Sequence, residues 1–189
     1  MEMLAYVFWH WRRPDVAGDS YRNRVIDFHQ TLAMNKPTGF RASVVFELAD
    51  APWAPTTSEV YEDWYLLEGS CALDVLNDAA VSPPCKLPHD EAAQGAAGGT
   101  GGLYRLRCGE AKLAGSQFAT WFSKPAGTKY DALYAMLGPW FSQPGVGLWG
   151  RQMTLGPTPE FCLLTSAKPE LPEALRGSTI RLKPIRSGQ

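Results

Sequence analysis

The first predicted strand of this chain is apolar on both of its faces, and this feature limits the possible folds more than any other. Side chains of a strand alternate between two faces. Along residues 4–11 the large apolar groups are Tyr6 and Phe8 on one face and Val7, Trp9 and Trp11 on the other. Each face must therefore be covered by another layer of structure. Helices can cover one face, and a second sheet is the natural cover for the other.

The residues that follow predict a β-α-β-β-α-β order up to about residue 110. A helix is predicted from Asp19 or Ser20 to about Met34 by a stripe at helical spacing, made of Tyr21, Val25, Phe28 and Leu32. Further strands at 40–48, 60–67 and 103–108, with a short helix after Gly69-Ser70, complete the ferredoxin-like arrangement. The stretch of about 82–102 is rich in Pro, Gly and Ala, and predicts a loop insertion.

Residues 111–189 repeat this order in a shorter form. Their predicted elements are a helix at 128–138 and strands at 117–123, 146–155, 160–165 and 179–185. We therefore predict an α+β fold of two ferredoxin-like (βαββαβ) repeats, residues 1–110 and 111–189, whose antiparallel sheets pack face to face. A small cavity between the sheets would be a natural ligand site. The internal pseudo-two-fold predicts a monomer, or a dimer of that monomer.

Composition and charge argue against several classes of partner. A net charge of -1 at pH 7 and a pI near 6.3 give no electrostatic reason to expect nucleic acid or a membrane surface. The N-terminal apolar run lacks the basic residues of a signal peptide, and no segment reaches the ~18 apolar residues of a membrane helix. The four cysteines are widely spaced without a CxxC pair, which favours buried free thiols. A cytoplasmic location is the expectation.

A short N-terminal motif and the order of the elements are shared with a known family. The motif consists of Trp11-Arg12-Arg13-Pro14 and a helix that begins near Tyr21 and carries His29 and then Leu32. In these features the chain resembles the EthD-like proteins of the dimeric α+β barrel superfamily, as a fused tandem version. The family's His-x-Pro sequence is replaced by His29-Gln30-Thr31, and the predicted second-half helix has no histidine. The resemblance implies a small-molecule cavity without a cofactor.

Two histidines are the candidate catalytic residues. His29 flanks the apolar stripe of its helix, where it could act as a base toward a bound phenol or enol, or could simply bond a carbonyl. His10 shares a strand face with Tyr6 and Phe8, and is either a catalytic acid or base or a neutral core histidine. If that face lines the cavity, Tyr65 on a neighbouring strand would donate a hydrogen bond to the substrate. The sequence leaves open which face lines the cavity.

Three further residues complete the predicted binding site. Trp9 and Trp11 would form aromatic walls of the cavity. Arg151 interrupts an apolar strand, so it either points inward and clamps a carboxylate or enolate, or marks an edge strand. Asp63, on the third strand, is interpreted as a solvated acid near a loop.

The chain carries no recognisable signature for a metal, a nucleotide or a catalytic serine. His10, His29 and His89 fall in different predicted elements, and the glycines of Gly98-Gly99-Thr100-Gly101-Gly102 neither follow a predicted strand nor open a helix. We expect no metal and no cofactor. The sequence favours a cofactor-independent monooxygenase, isomerase or cyclase acting on a small aromatic or polyketide-like acid. A non-catalytic protein that binds a hydrophobic ligand, and a structural protein, are the alternatives.

Overall fold

A computed structural model describes residues 3–49, 51–54, 59–154, 159–175 and 177–188. The helices of these residues are α1 (Gly18–Asn35), α2 (Cys71–Ala80), α3 (Lys86–Gly95) and α4 (Tyr130–Phe141). Their strands are β1 (Leu4–Arg12), β2 (Phe40–Leu48), β3 (Val60–Leu67), β4 (Ala96–Gly109), β5 (Phe118–Phe122), β6 (Gly147–Thr154), β7 (Phe161–Thr165) and β8 (Gly177–Gly188). A short 3-10 turn spans Glu173–Leu175. Most bounds fall within a few residues of those predicted, and the last residue of the strand predicted at 146–155 lies outside the described residues.

The eight strands of the described residues form one closed antiparallel barrel, in the order β1-β3-β2-β8-β5-β7-β6-β4. Strands before residue 110 stand side by side as β4-β1-β3-β2, and later strands stand as β8-β5-β7-β6. Two seams join these groups, one between β2 and β8 and one between β4 and β6. The fold class is therefore α+β with an antiparallel barrel, which confirms the coarse prediction.

Both faces of β1 are covered, as its composition predicted. Its inward face lies in a barrel interior filled with fully buried aromatic side chains, namely Trp9, Trp64, Tyr104, Trp121 and Trp149. Its outward face packs under the helices, where Tyr6 and Phe8 contact a cluster that includes Phe28 and Leu32 of α1. The opposite strands of the barrel cover one face, and the helices cover the other.

The stretch predicted as a loop insertion, about 82–102, is mostly helix and strand. Lys86–Gly95 form α3, and β4 begins at Ala96 rather than near residue 103. Pro88 lies in the first turn of α3, where the missing N–H of a proline removes no helical hydrogen bond. The glycine run is therefore part of a strand that directly follows a helix.

The glycines of β4 leave room for large rings on the neighbouring strand β1. A Cβ atom on Gly99 would lie 2.3 Å from the Phe8 ring and 2.9 Å from the Trp9 carbonyl oxygen. A Cβ atom on Gly101 would lie 3.0 Å from the Tyr6 ring. The rings of β1 thus occupy the space that side chains of β4 would need, and the pairing with β1 stabilises a segment whose own residues do not favour a strand.

The cysteines and the helices bear on two further predictions made from the sequence. All four cysteines are free, with Cys85 and Cys162 buried, Cys108 half-buried and Cys71 exposed, so the prediction of buried thiols is confirmed for two of them. Within the described part of the chain, no helix is both long and apolar enough to cross a membrane.

Candidate functional site

A cavity of about 210 Å³ lies between the helices α1, α2 and α3 and the outer faces of β1 and β3. We call it the first cavity. Its walls are mainly apolar and aromatic, and its polar groups include those of His10, Tyr21, Asp63 and Tyr65. The sequence predicts a cavity between the two sheets, but indole rings fill that space. The face of β1 that carries Tyr6, Phe8 and His10 is therefore the face that lines this cavity.

The β1 wall of the first cavity is a row of stacked rings. The ring centroids of Tyr6 and Phe8 are 6.2 Å apart, and those of Phe8 and His10 are 5.6 Å apart, with interplanar angles of 26° and 21°. Alternation along the strand places these three residues on one face. On β4, Gly101 pairs with Phe8 and Gly99 pairs with His10, so that strand adds no side chains beside the rings. The result is a flat aromatic surface that suits a planar ligand.

His10 connects a phenol to a buried carboxylate. Its Nε2 lies 3.1 Å from Asp63 Oδ1, and its Nδ1 lies 2.5 Å from the hydroxyl oxygen of Tyr21. Because an ionised carboxylate only accepts hydrogen bonds, a neutral His10 donates from Nε2–H to Asp63. Its Nδ1 then accepts a hydrogen bond from the Tyr21 hydroxyl. Tyr21, His10 and Asp63 thus form a continuous chain of hydrogen bonds at the cavity wall.

Asp63 is the anionic centre of the site. It lies in the middle of β3 and is 4% exposed, so its interpretation as a solvated acid near a loop was wrong. Burial by itself would raise the pKa of Asp63, but the charge and hydrogen bonds of His10 and His29 outweigh burial and hold that pKa below its ordinary value. Asp63 is therefore a carboxylate throughout the neutral range.

His29 acts through its neighbours rather than at the cavity surface. It is fully buried, with Nδ1 2.8 Å from Ser43 Oγ and Nε2 3.1 Å from the Tyr65 hydroxyl oxygen. The same Nε2 lies 3.3 Å from Asp63 Oδ2. His29 does not line the first cavity. These contacts make His29 a support for Asp63 and Tyr65.

Tyr65 also bonds the central carboxylate. Its hydroxyl donates to Asp63 Oδ2 at 3.0 Å, and its ring stacks on those of Tyr6 and His29 with centroids 5.8 and 5.0 Å apart. Burial first, and then the charge of Asp63, raise the pKa of Tyr65 well above its ordinary value. The phenol therefore keeps its proton and serves as a hydrogen-bond donor.

Comparisons with known proteins give a fold and no family. No family model matches the chain, and no curated protein matches it significantly. A candidate monooxygenase from Fusobacterium nucleatum subsp. nucleatum has a TM-score of 0.61 at 9% identity, over 99% of this chain and 94% of that one. An anthrone oxidase-like protein has a TM-score of 0.60 at 11% identity, over 98% and 92%. A candidate chlorite dismutase has a TM-score of 0.56 at 9% identity, over 98% and 96%.

The chain shares its fold with these three proteins. At these identities the likeness shows the fold alone. The residues at the first cavity must therefore be interpreted from their own geometry. Among the described residues of the barrel, no group of three or more His, Cys, Asp and Glu side chains is placed to hold a metal ion.

The structure brings three of the six predicted site residues together, and places the other three elsewhere in the barrel. His10, His29 and Tyr65 share the carboxylate of Asp63. Trp9 lies in the barrel interior, Trp11 packs against that interior cluster, and Arg151 is exposed beside a separate cavity. The strand of Arg151 has a partner on each side, so the edge-strand explanation of this arginine was also wrong.

Sequence reasoning missed four residues at or around this site: Tyr21, Ser43, Asp63 and His89. The pair Glu62-Asp63 inside an otherwise apolar strand is a signal that could have revealed the buried carboxylate, since acids are almost never fully buried without partners. Tyr21 was identified only as part of a helical stripe. His89 was assigned to a loop, but lies on α3 and lines the cavity, with its ring 5.4 Å from that of Phe28.

Proposed function

We propose that this protein is a small-molecule enzyme that removes a proton from a small aromatic or polyketide-like acid in the first cavity. Its reaction class is that of a cofactor-independent monooxygenase, isomerase or cyclase. The observation that carries the proposal is the chain of hydrogen bonds from Tyr21 through His10 to Asp63 at the wall of an aromatic cavity. A relay of this kind is suited to general acid–base catalysis.

The relay can accept a proton without leaving a charge unpaired. An acidic O–H or C–H group of the substrate gives its proton to the Tyr21 oxygen, while the Tyr21 hydroxyl proton passes to His10 Nδ1. Burial first, and then the charge of Asp63, raise the pKa of Tyr21, so it remains a phenol and only passes the proton on. His10 becomes an imidazolium that donates from Nε2–H to the Asp63 carboxylate. The substrate is left as an enolate or phenolate.

The substrate anion then determines the reaction. In an isomerase or cyclase, the anion is protonated at another atom or attacks a carbonyl within the same molecule. In a monooxygenase, dioxygen is the oxidant: a CH₂ group becomes a carbonyl, one oxygen atom enters the product, and the other leaves as water. In an isomerase or cyclase, the proton taken by His10 returns to the product. In a monooxygenase it returns to the product or to the water that is formed, so the relay is restored in each case.

The cavity supports a planar substrate of one or two rings. An apolar cavity of about 150 Å³ is sufficient for benzene, and the first cavity measures about 210 Å³. The stacked rings of Tyr6 and Phe8 offer a flat wall. The exposed side chain of Asn77 and the half-buried ring of His89 also line the cavity and provide a polar rim.

We also propose that the barrel is built from two repeats. The strand orders β4-β1-β3-β2 and β8-β5-β7-β6 support two ferredoxin-like repeats, residues 1–110 and 111–189, fused as in a tandem EthD-like protein. The closed barrel within one chain supports a monomer as the functional unit. We further propose a cytoplasmic location, since free cysteines suit a reducing compartment.

A non-catalytic ligand-binding protein is the second candidate, and one observation favours it. Both ring nitrogens of His10 and of His29 already lie within hydrogen-bond distance of protein groups. A binding protein would be stabilised by ligand without turnover, by about 2.7 kcal/mol when the ligand is at 100 times its Kd.

The test combines a thermal-shift screen with turnover assays on the compounds that bind. Small aromatic acids, phenols and polyketide-like lactones are screened against the wild type and the His10→Gln variant. The enzyme proposal expects kcat to fall by about 10²- to 10⁴-fold in His10→Gln. His89→Gln is the comparison variant: His89 lines the same cavity outside the relay, so its loss should affect KM while kcat stays within about threefold. Turnover that is unchanged in His10→Gln would overturn the relay as the catalyst, and binding without turnover in the wild type would overturn the enzyme proposal in favour of the second candidate.

A further inference from the structure

A second cavity, of about 290 Å³, lies beside α4 on the other half of the barrel. Its cationic groups are Arg107 of β4 and Arg151 of β6. These two strands pair directly, with Tyr104 of β4 opposite Arg151. Two guanidinium groups are therefore presented by adjacent strands to one space.

The floor of the second cavity is built to hold one of these arginines. A Cβ atom on Gly150 would lie 2.7 Å from Nε and 2.9 Å from Cγ of Arg107. The glycine thus leaves room for the Arg107 side chain to lie across β6. The same Cβ position is 3.2 Å from the ring of Phe161, so an apolar ring adjoins the guanidinium.

The helix wall of the second cavity is aromatic. Tyr130 and Tyr134 are four residues apart on α4, so they share a helix face. Their rings are stacked with centroids 6.2 Å apart, and the ring of Tyr130 also meets that of Phe161 at 6.2 Å. A hydrogen bond to Glu160 raises the pKa of Tyr130, and burial raises the pKa of Tyr134. Both phenols are therefore neutral and can pack against a ligand ring.

The charge of the second cavity favours an anion. Glu160 is the one acid among its described lining residues, and Glu160 accepts a hydrogen bond from the Tyr130 hydroxyl at 2.7 Å. Lys124 adds positive charge nearby, with its Nζ 5.4 Å from the centre of the Tyr130 ring. The planar fork of a guanidinium matches the two oxygens of a carboxylate.

We propose that the second cavity binds a small aromatic carboxylate. The carboxylate is held by Arg107 and Arg151, and the ring lies against Tyr130, Tyr134 and Phe161. This site goes beyond the proposed function, because it contains none of the residues of the relay and lies on the half of the barrel covered by α4.

The test is a titration followed by amide NMR signals, with benzoate as the probe. The Gly150 amide reports on the second cavity, and the Gly101 amide reports on the first, so binding at one is distinguished from binding at the other. We expect the Gly150 signal to shift saturably with benzoate. Arg107→Gln and Arg151→Gln should each weaken this binding by about tenfold to a hundredfold. Benzyl alcohol, which has the ring without the charge, should bind at least about tenfold more weakly.

Several results would overturn the inference. A Gly150 signal that does not respond to benzoate would do so, as would equal affinity for benzoate in both arginine variants and the wild type. Inorganic phosphate binding as tightly as benzoate would show an anion site without ring recognition. His10→Gln serves as the control, since it alters the first cavity and should leave the Gly150 titration unchanged.

Discussion

The barrel interior contains a buried acid whose ionisation should govern the pH dependence of stability. Glu62 is fully buried and accepts hydrogen bonds from the indole N–H groups of Trp9 and Trp64, each at 2.6 Å. Burial raises the pKa of Glu62 from 4.5 to about 7, although the two indole hydrogen bonds act in the opposite direction. The folded barrel therefore prefers the neutral carboxyl. We predict that replacing Glu62 by Gln removes a large pH-dependent part of the free energy of unfolding.

The sign and size of this effect follow from linkage. Because the pKa is raised in the folded state, the stabilising contribution is fully present below the unfolded value of about 4.5, and it is lost as the pH rises through about 7. The gap between the two values corresponds to about 3 kcal/mol. The wild type should therefore lose about 3 kcal/mol of stability relative to Glu62→Gln between about pH 4.5 and pH 8.

The assay is denaturant unfolding of both proteins at several pH values across this range, followed by tryptophan fluorescence. Other titrating groups are common to both proteins, so they cancel in the difference. The amide nitrogen introduced by Glu62→Gln cannot accept a hydrogen bond, so one indole N–H loses its acceptor; this costs about 1–3 kcal/mol at every pH and leaves the slope unaffected. Trp9→Phe is the companion variant. It removes one donor to the carboxylate and should raise the pH at which the loss of stability is complete.

A difference between the wild type and Glu62→Gln that stays constant within about 1 kcal/mol from pH 4.5 to pH 8 would refute this reasoning. A difference that grows in favour of the wild type as the pH rises would reverse its sign, and would mean that the barrel stabilises the charged form.

Two further predictions concern the site and the glycine strand. Asp63→Asn should lower the free energy of unfolding by about 3–5 kcal/mol at pH 7, because both histidines lose their anionic partner. Since the pKa of Asp63 is depressed, this cost should shrink as the pH falls below about 4. Denaturant unfolding at neutral and acid pH measures both the cost and its decrease. Gly99→Ala should lower the free energy of unfolding by about 1–3 kcal/mol through its clash with Phe8. Gly101→Ala should lower it by less, because the contacts of its added Cβ atom are longer. Equal losses of stability in thermal unfolding would contradict this order.

Much of the fold could be predicted because the strands carry their own patterns. The continuous apolar run of β1 and the alternation of β2 follow from which faces are buried, and that information is local. The strand conformation of residues 96–102 could not be predicted in this way. These residues form a strand by pairing with β1, which lies about ninety residues away in the chain, so no local pattern reports it.

The site was predicted in part, for a similar reason. His10 and Tyr65 were identified because polar groups stood among aromatic residues on adjacent strands. Asp63 was misinterpreted because an acid at one position of a strand is ordinarily solvated, and only the pairing of β1 with β3 brings it to His10. The choice between the two faces of β1 depended on what fills the barrel, which requires the positions of Trp121 and Trp149 from the second half.

The closed barrel also has a consequence for the order in which the chain is made. β8 leaves the ribosome after the other described strands, yet it stands between β2 and β5 and pairs with both. Until residues 177–188 have emerged, these two strands present open edges that can pair with other chains. The first-half strands can form earlier, since β4-β1-β3-β2 needs nothing beyond Gly109. Nascent chains therefore carry exposed strand edges that the finished barrel lacks, and chaperone contact during synthesis should concentrate on β2 and β5.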